Sequence, residues 1–184
     1  MIGKLDHYQE INNKANKARD AAALATVEAG QLYARSKAEY EQFHTLSAKD
    51  KKLAGKPFFF THRTFYIPDR GNWFAAEATT TGKNHTVMIF EKSPDTANTW
   101  KKVVSLFPER TLPAPEVKDG LATTADTKTT VGQLTPLNVT NAVEDLFTTG
   151  GAKDGGKLSL PTTARKASSR PTRTAETTSD RGPR

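Results

Sequence analysis

The chain has 184 residues, a net charge of +7, four histidines and no cysteine. Its length sets one domain as the default, and the missing thiol excludes a disulfide framework, a thiolate metal site and a cysteine nucleophile. No apolar run reaches the roughly 20 residues of a membrane-spanning helix, and the opening residues do not read as a signal peptide.

The charge is unevenly spread. From Pro161 on there are six basic residues, Arg165, Lys166, Arg170, Arg173, Arg181 and Arg184, against Glu176 and Asp180. The rest of the chain is close to balanced. A basic segment of this composition is a solvated tail rather than a nucleic-acid footprint, and no nucleic-acid partner is expected.

The N-terminal stretch reads as helix. Leu5, Tyr8, Ile11, Ala15, Ala18 and Ala22 recur at steps of three and four, which makes one apolar stripe. Asp20 is expected to cap a second helical segment with Leu24 and Val27 inward, and Gly30 to stop it. Ser36 and Glu39 have the spacing of a capping box, which places a third helix under Tyr40 and Phe43. The lysines at 49, 51 and 52 read as a polar connection.

Phe58 to Phe107 reads as four strands in a row. They are Phe58–Ile67, Trp73–Thr81, Thr86–Lys92 and Trp100–Phe107, rich in aromatic, β-branched and threonine residues. Pro68 to Asn72, Gly82 to Asn84 and Ser93 to Asn98 have turn chemistry. Links this short join antiparallel neighbours. Alternation puts Phe74, Ala76 and Ala78 on one face, and Trp73, Ala75, Glu77 and Thr79 on the other. The third strand is apolar on both faces and belongs inside the sheet. The fold expected is therefore α+β: N-terminal helices packed on a four-stranded antiparallel meander. Its domain is residues 1–110.

Residues 111–135 read as a connector. Thr135 and Pro136 introduce a helix over 136–150 with Leu137, Val143, Leu146 and Phe147 as its apolar side, stopped by Gly150-Gly151. That helix either folds back on the sheet or stays exposed and promotes self-association. Residues 151–184 read as a disordered basic tail in which no core can form.

Motifs for chemistry are sparse. His7, His44, His62 and His85 are not spaced as metal ligands, and no phosphate loop, dinucleotide fingerprint or nucleophile elbow occurs. No metal or cofactor is expected. His62 and Glu77 lie on neighbouring strands and are the one candidate acid–base pair, formed in a cleft only if the strand register brings them together and otherwise simply solvated. Tyr66, Trp73 and Trp100, near strand ends, either line a ligand cleft or finish the packing of the sheet. Together with His62 and Glu77 they are the candidate ligand-binding residues; no residue is assigned a catalytic role.

Helices followed by an antiparallel meander is the element order of the cystatin-like and NTF2-like folds. More specific patches are Tyr8 with Asn12 to Ala15, Gly30 with Tyr33, the Thr64–Pro68 run, and Trp73-Phe74-Ala75. Val87 to Phe90, Gly132 to Leu134, and Glu144 to Phe147 before Gly150-Gly151 complete the set. In these the chain resembles an uncharacterised extracytoplasmic domain of actinobacterial lipoproteins and membrane proteins. The resemblance covers roughly residues 5 to 151. It implies an extracytoplasmic, membrane-associated module, with attachment through a segment outside these residues. It also implies a second, similar lobe, of which only the first helix is read here, so a truncated or frame-shifted chain is expected. The family supplies no catalytic motif. The function expected is a non-enzymatic binding or interaction module for an unknown protein or small ligand. The alternative is a small NTF2-like enzyme using a polar pair in the helix–sheet cleft.

Overall fold

The computed structural model describes residues 1–81, 84–94, 99–109 and 112–158. The chain divides into two compact units, Met1–Thr124 and a second from Ala125 on. The tail expected over residues 151–184 lies outside the described residues from position 159.

The first unit opens with α1 (Ile2–Ala18), whose Leu5, Tyr8, Asn12 and Ala15 are buried at steps of three and four. The polar Asn12 joins this stripe; Ile11, placed on it, is partly buried against the core, while Ala18 and Ala22, also placed on it, are exposed. Asp20 caps α2 (Ala21–Ala25) by accepting from the Ala23 amide, and Leu24 and Val27 are inward as expected.

Gly30 does not stop a helix. With φ +61 it opens α3 (Gly30–Glu41), and α2 has already ended at Ala25. Ser36 and Glu39 therefore lie inside α3 and form no capping box. Ser47 is the capping residue instead: its hydroxyl accepts from the Asp50 amide and starts α4 (Ala48–Ala54), where a polar connection was expected. The error has a local cause, because Ser36 and Ser47 each precede a carboxylate by three residues.

The sheet is an antiparallel meander in the order β1 (Phe60–Tyr66), β2 (Trp73–Thr80), β3 (His85–Lys92), β4 (Trp100–Leu106). Its core face carries Phe74, Ala76, Ala78, Met88 and Phe90, each 0–1% exposed. Phe74 and Phe90 stack with centroids 4.8 Å apart, and Trp100 lies 5.2 Å from Phe74. Leu5, Tyr8, Ala15, Leu24 and Val27 close this core from the helical side.

Side chains of α1 hold the entry to β1. Gln9 accepts from the Phe60 amide, while Asn13 accepts from the Phe58 amide and donates to its carbonyl. Buried backbone groups need such partners, so these contacts set α1 across the sheet. At the opposite edge, residues 27–29 pair with β4: the Lys102 amide donates to Val27 and the Ala29 amide to Lys102. A covered edge strand does not recruit other chains.

Two irregularities set side-chain directions. Thr61 pairs with Thr79 and Thr64 with Glu77, so β1 holds one extra residue there, and His62 adopts φ +51. In β4 a second shift lies between Lys102, which opposes Phe90, and Val104, which opposes Ile89. Each bulge reverses the alternation beyond it. The second one turns Lys102 into the core.

Within the span expected as a connector, β5 (Val117–Lys118) and β6 (Leu121–Ala122) form a hairpin. Ala122 bridges to Pro68, donating to Ile67 and accepting from Asp69.

In the second unit, Pro136–Asn138 is a 3-10 turn, and α5 runs from Val139 to Thr149, ending at Gly150 in the left-handed region. Its buried side chains are Ala142 and Leu146; Leu137, Val143 and Phe147, expected on the apolar side, are exposed. The chain turns back at Gly151 so that Asp154–Lys157, a 3-10 turn, packs on α5. A Cβ at Gly155 would lie 2.5 Å from the Leu146 nitrogen, so only glycine fits. Asp145 clasps this return by accepting from the Lys153 and Gly155 amides. Packing thus continues past Lys153, beyond the point where the sequence reads as tail.

Candidate functional site

Glu77 is the centre of the outer sheet face. Its Oε2 accepts from the Tyr66 hydroxyl at 2.9 Å, and its Oε1 faces His85 Nε2 at 2.7 Å. The three residues come from β1, β2 and β3, diagonal to one another in the register. Because a carboxylate only accepts, the ring nitrogen facing it carries the proton. Burial first, and then the Glu77 carboxylate, pushes the Tyr66 phenol above its ordinary range.

The expected partnership of His62 with Glu77 is not formed. The bulge at His62 turns its ring to solvent, where Nδ1 lies 3.2 Å from the Thr61 hydroxyl. His85 takes its place. Reading that pairing from sequence requires the register of β2 against β3, which residue types alone do not carry.

The two tryptophans separate. Trp73 is 37% exposed at the start of β2, and its ring covers the preceding turn. A Cβ at Gly71 would lie 2.9 Å from that ring, and Gly71 has φ +102, so the turn needs glycine. Trp100 lies on the core side against Phe74 and lines a cavity of about 520 Å³ with Lys4, His7 and Thr99. The structure therefore joins Tyr66 to Glu77, keeps Trp73 on the same outer face at the start of β2, and places His62 and Trp100 elsewhere.

A second polar cluster, which sequence reasoning missed, lies between helices and sheet. Tyr8 donates to Glu28 Oε1 at 2.8 Å, and Asn12 donates to the same oxygen at 3.1 Å. Lys102 Nζ is 4.0 Å from it and 4.3 Å from the centre of the Tyr8 ring. Asn16 and Tyr40 extend the chain: Tyr40 donates to Asn16, and Asn16 donates to Asn12. Glu28 and Lys102 are both nearly fully buried, and Glu28 Oε2 has no hydrogen-bond partner among the described residues. Burial lowers the Lys102 pKa to about 8 despite the opposing pull of Glu28. Burial and the Glu28 carboxylate hold the Tyr8 phenol well above its ordinary value. The available signal was Asn12 on the α1 stripe, one of the few polar residues at a buried spacing.

Among the described residues, no cluster of three or more His, Asp or Glu is placed to hold a metal ion. None of their helices is long and apolar enough to cross a membrane.

Comparison with known proteins places the chain. A family model described as a domain of unknown function, DUF8094, matches residues 3–183. The chain belongs to the DUF8094 family. It is 31% identical over 173 residues to an uncharacterized lipoprotein of Streptomyces coelicolor, covering 88% of this chain and 48% of that one. The chain thus spans about half the length of this relative. No solved structure matches it. The α+β architecture of this DUF8094 chain stands on its own geometry, and the cystatin-like and NTF2-like likeness on element order alone.

Proposed function

We propose that this chain is a non-enzymatic, extracytoplasmic binding module, membrane-tethered in the manner of the lipoprotein it resembles. One observation carries the reading. The outer sheet face displays Tyr66, Trp73 and His85 beside the partly exposed Val87, Ile89 and Val104, while the carboxylate at its centre, Glu77, is already held from both sides. Aromatic side chains next to apolar rows are the composition of protein-recognition surfaces. The occupant proposed is a protein. The His85–Glu77 pair that stands where His62–Glu77 was expected lies on the outer face, away from the helix–sheet space in which the enzyme alternative sets its polar pair. Self-association through residues 136–150 belongs to the same reading, because Leu137, Val143 and Phe147 are exposed there.

The second reading, a small enzyme, keeps one observation in its favour. Lys102 has a lowered pKa beside a carboxylate in the space between helices and sheet, and such groups cluster at active sites. It is enclosed by the Tyr8 ring, which leaves a substrate no approach in this conformation.

The test uses the absence of cysteine. Thr64, exposed next to Glu77 on the outer face, is replaced by Cys in the intact protein in its host cells. A membrane-impermeant maleimide should label it in whole cells. A photo-reactive maleimide at the same position should give a discrete cross-linked protein, lost when Trp73→Ala is added. Labelling only after lysis, or no cross-link, overturns the reading.

A further inference from the structure

The end of α1 and the α3–α4 region form a partly open cavity of about 310 Å³, lined by Arg19, Glu39, Tyr40, Gln42, Phe43, Leu46 and Ala54. This volume is at the lower end for small-molecule pockets. Arg19 stands in the left-handed conformation at the end of α1, which turns its side chain across the helical layer. Its guanidinium lies over the Phe43 ring at 3.8 Å, with Tyr40 at 5.9 Å.

Three features distinguish this arginine. Among the described residues no carboxylate pairs with it, and its Nε is buried without a hydrogen-bond partner. The acid in the same wall, Glu39, is held by Arg35 at 2.9 Å on the exposed side of α3. A further cation, Lys51, reaches within 5.8 Å of the Phe43 ring while donating to the His44 carbonyl. The site therefore joins a positive fork, fixed by stacking, to an apolar wall. A guanidinium recognises a planar anion through two parallel hydrogen bonds, and stacking restricts its rotamers before the anion arrives.

We propose that this cavity binds a small amphiphilic anion, a carboxylate or phosphate head on a short apolar body, with Arg19 holding the head and Phe43, Leu46 and Ala54 the body. The site is separate from the outer sheet face and independent of the binding role assigned there.

The probes are octanoate, octyl phosphate and neutral octanamide, each titrated into the full chain by calorimetry. The Arg19 Nε–H resonance is followed in parallel by NMR. The two anions should bind more tightly than octanamide and shift that resonance, their order showing which head is preferred. Arg19→Gln should weaken the anions about tenfold or more and leave octanamide unchanged, as loss of a charged hydrogen bond would. Arg19→Lys keeps the charge without the fork and should recover only part of the loss, and thermal melts show that both variants fold. Equal affinity for anion and amide, an unmoved Arg19 resonance, or undiminished anion binding to a folded Arg19→Gln chain overturns the proposal.

Discussion

The two sides of the sheet assemble the same kinds of group in opposite settings. On the core side Glu28 accepts from Tyr8 at 2.8 Å and faces Lys102 at 4.0 Å; on the outer side Glu77 accepts from Tyr66 at 2.9 Å and faces His85 at 2.7 Å. The outer carboxylate lies closer to its nitrogen partner, yet the outer trio can exchange its partners for water. The inner one has been taken out of water, so removing one member leaves a buried charge with nothing to replace it. Burial, more than geometry, sets what each trio contributes.

The sharpest way to break this comparison is to remove one inner ion. Glu28→Gln leaves the Lys102 ammonium buried without its carboxylate, and should cost about 3–5 kcal/mol in urea unfolding. The double variant Glu28→Gln with Lys102→Met should recover most of that loss. A double variant as unstable as the single one would mean that the two ions do not compensate each other. Phe74→Ala tests the apolar part of the same face: a fully buried ring stacked on Phe90 should cost about 3–5 kcal/mol when truncated. Trp73→Ala, next door on the outer face, should cost clearly less.

pH sharpens the comparison further. Lys102 has a pKa of about 8 in the fold and an ordinary value of 10.5. Between those values the unfolded chain binds more protons, so stability should rise with pH by an amount on the order of 3 kcal/mol. Tyr8 acts with the opposite sign. Its phenol is held above the ordinary 10.0, so the unfolded chain loses that proton first and stability falls above about pH 10. Urea midpoints at about pH 8, 9 and 10 should rise in the wild type and stay flat in the Glu28→Gln, Lys102→Met double variant. The smallest effect belongs to the outer trio. Glu77→Gln removes a partly exposed carboxylate whose neighbours can turn to water, and should cost about 1 kcal/mol by the same measurement. A cost equal to that of Glu28→Gln would erase the distinction between the two sides.

Much of the fold follows from local rules, and its failures are local as well. The four strands fall within two residues of their expected bounds, because alternation and turn residues act over short distances. Asp20 caps as its chemistry dictates. Gly30 and Ser36 were misread, and Ser47 was passed over, because capping residues serve any nearby helix end and tertiary contacts choose which. The face of α5 was read only in part for a related reason: of Leu137, Val143, Leu146 and Phe147, the chain's return at Gly155 covers Leu146 alone, with Ala142 beside it.

The candidate sites were less legible. Tyr66 and Glu77 were named and do meet, but the histidine beside them is His85, because the bulge at His62 reverses the alternation. Glu28, Lys102 and Arg19 drew no attention, since charged side chains read by default as solvated.

The sequence by itself determined the order of helices and strands, the antiparallel meander and the apolar face of Phe74, Ala76 and Ala78. Those follow from periodicity, turn chemistry and side-chain alternation, each acting over a few residues. Tertiary structure alone decided which charges are buried. Glu28 and Lys102 are 74 positions apart in sequence, and they meet because residues 27–29 pair along β4 and a bulge turns Lys102 inward. A one-residue change of register inverts every side chain beyond it, and packing between distant segments is what selects the register.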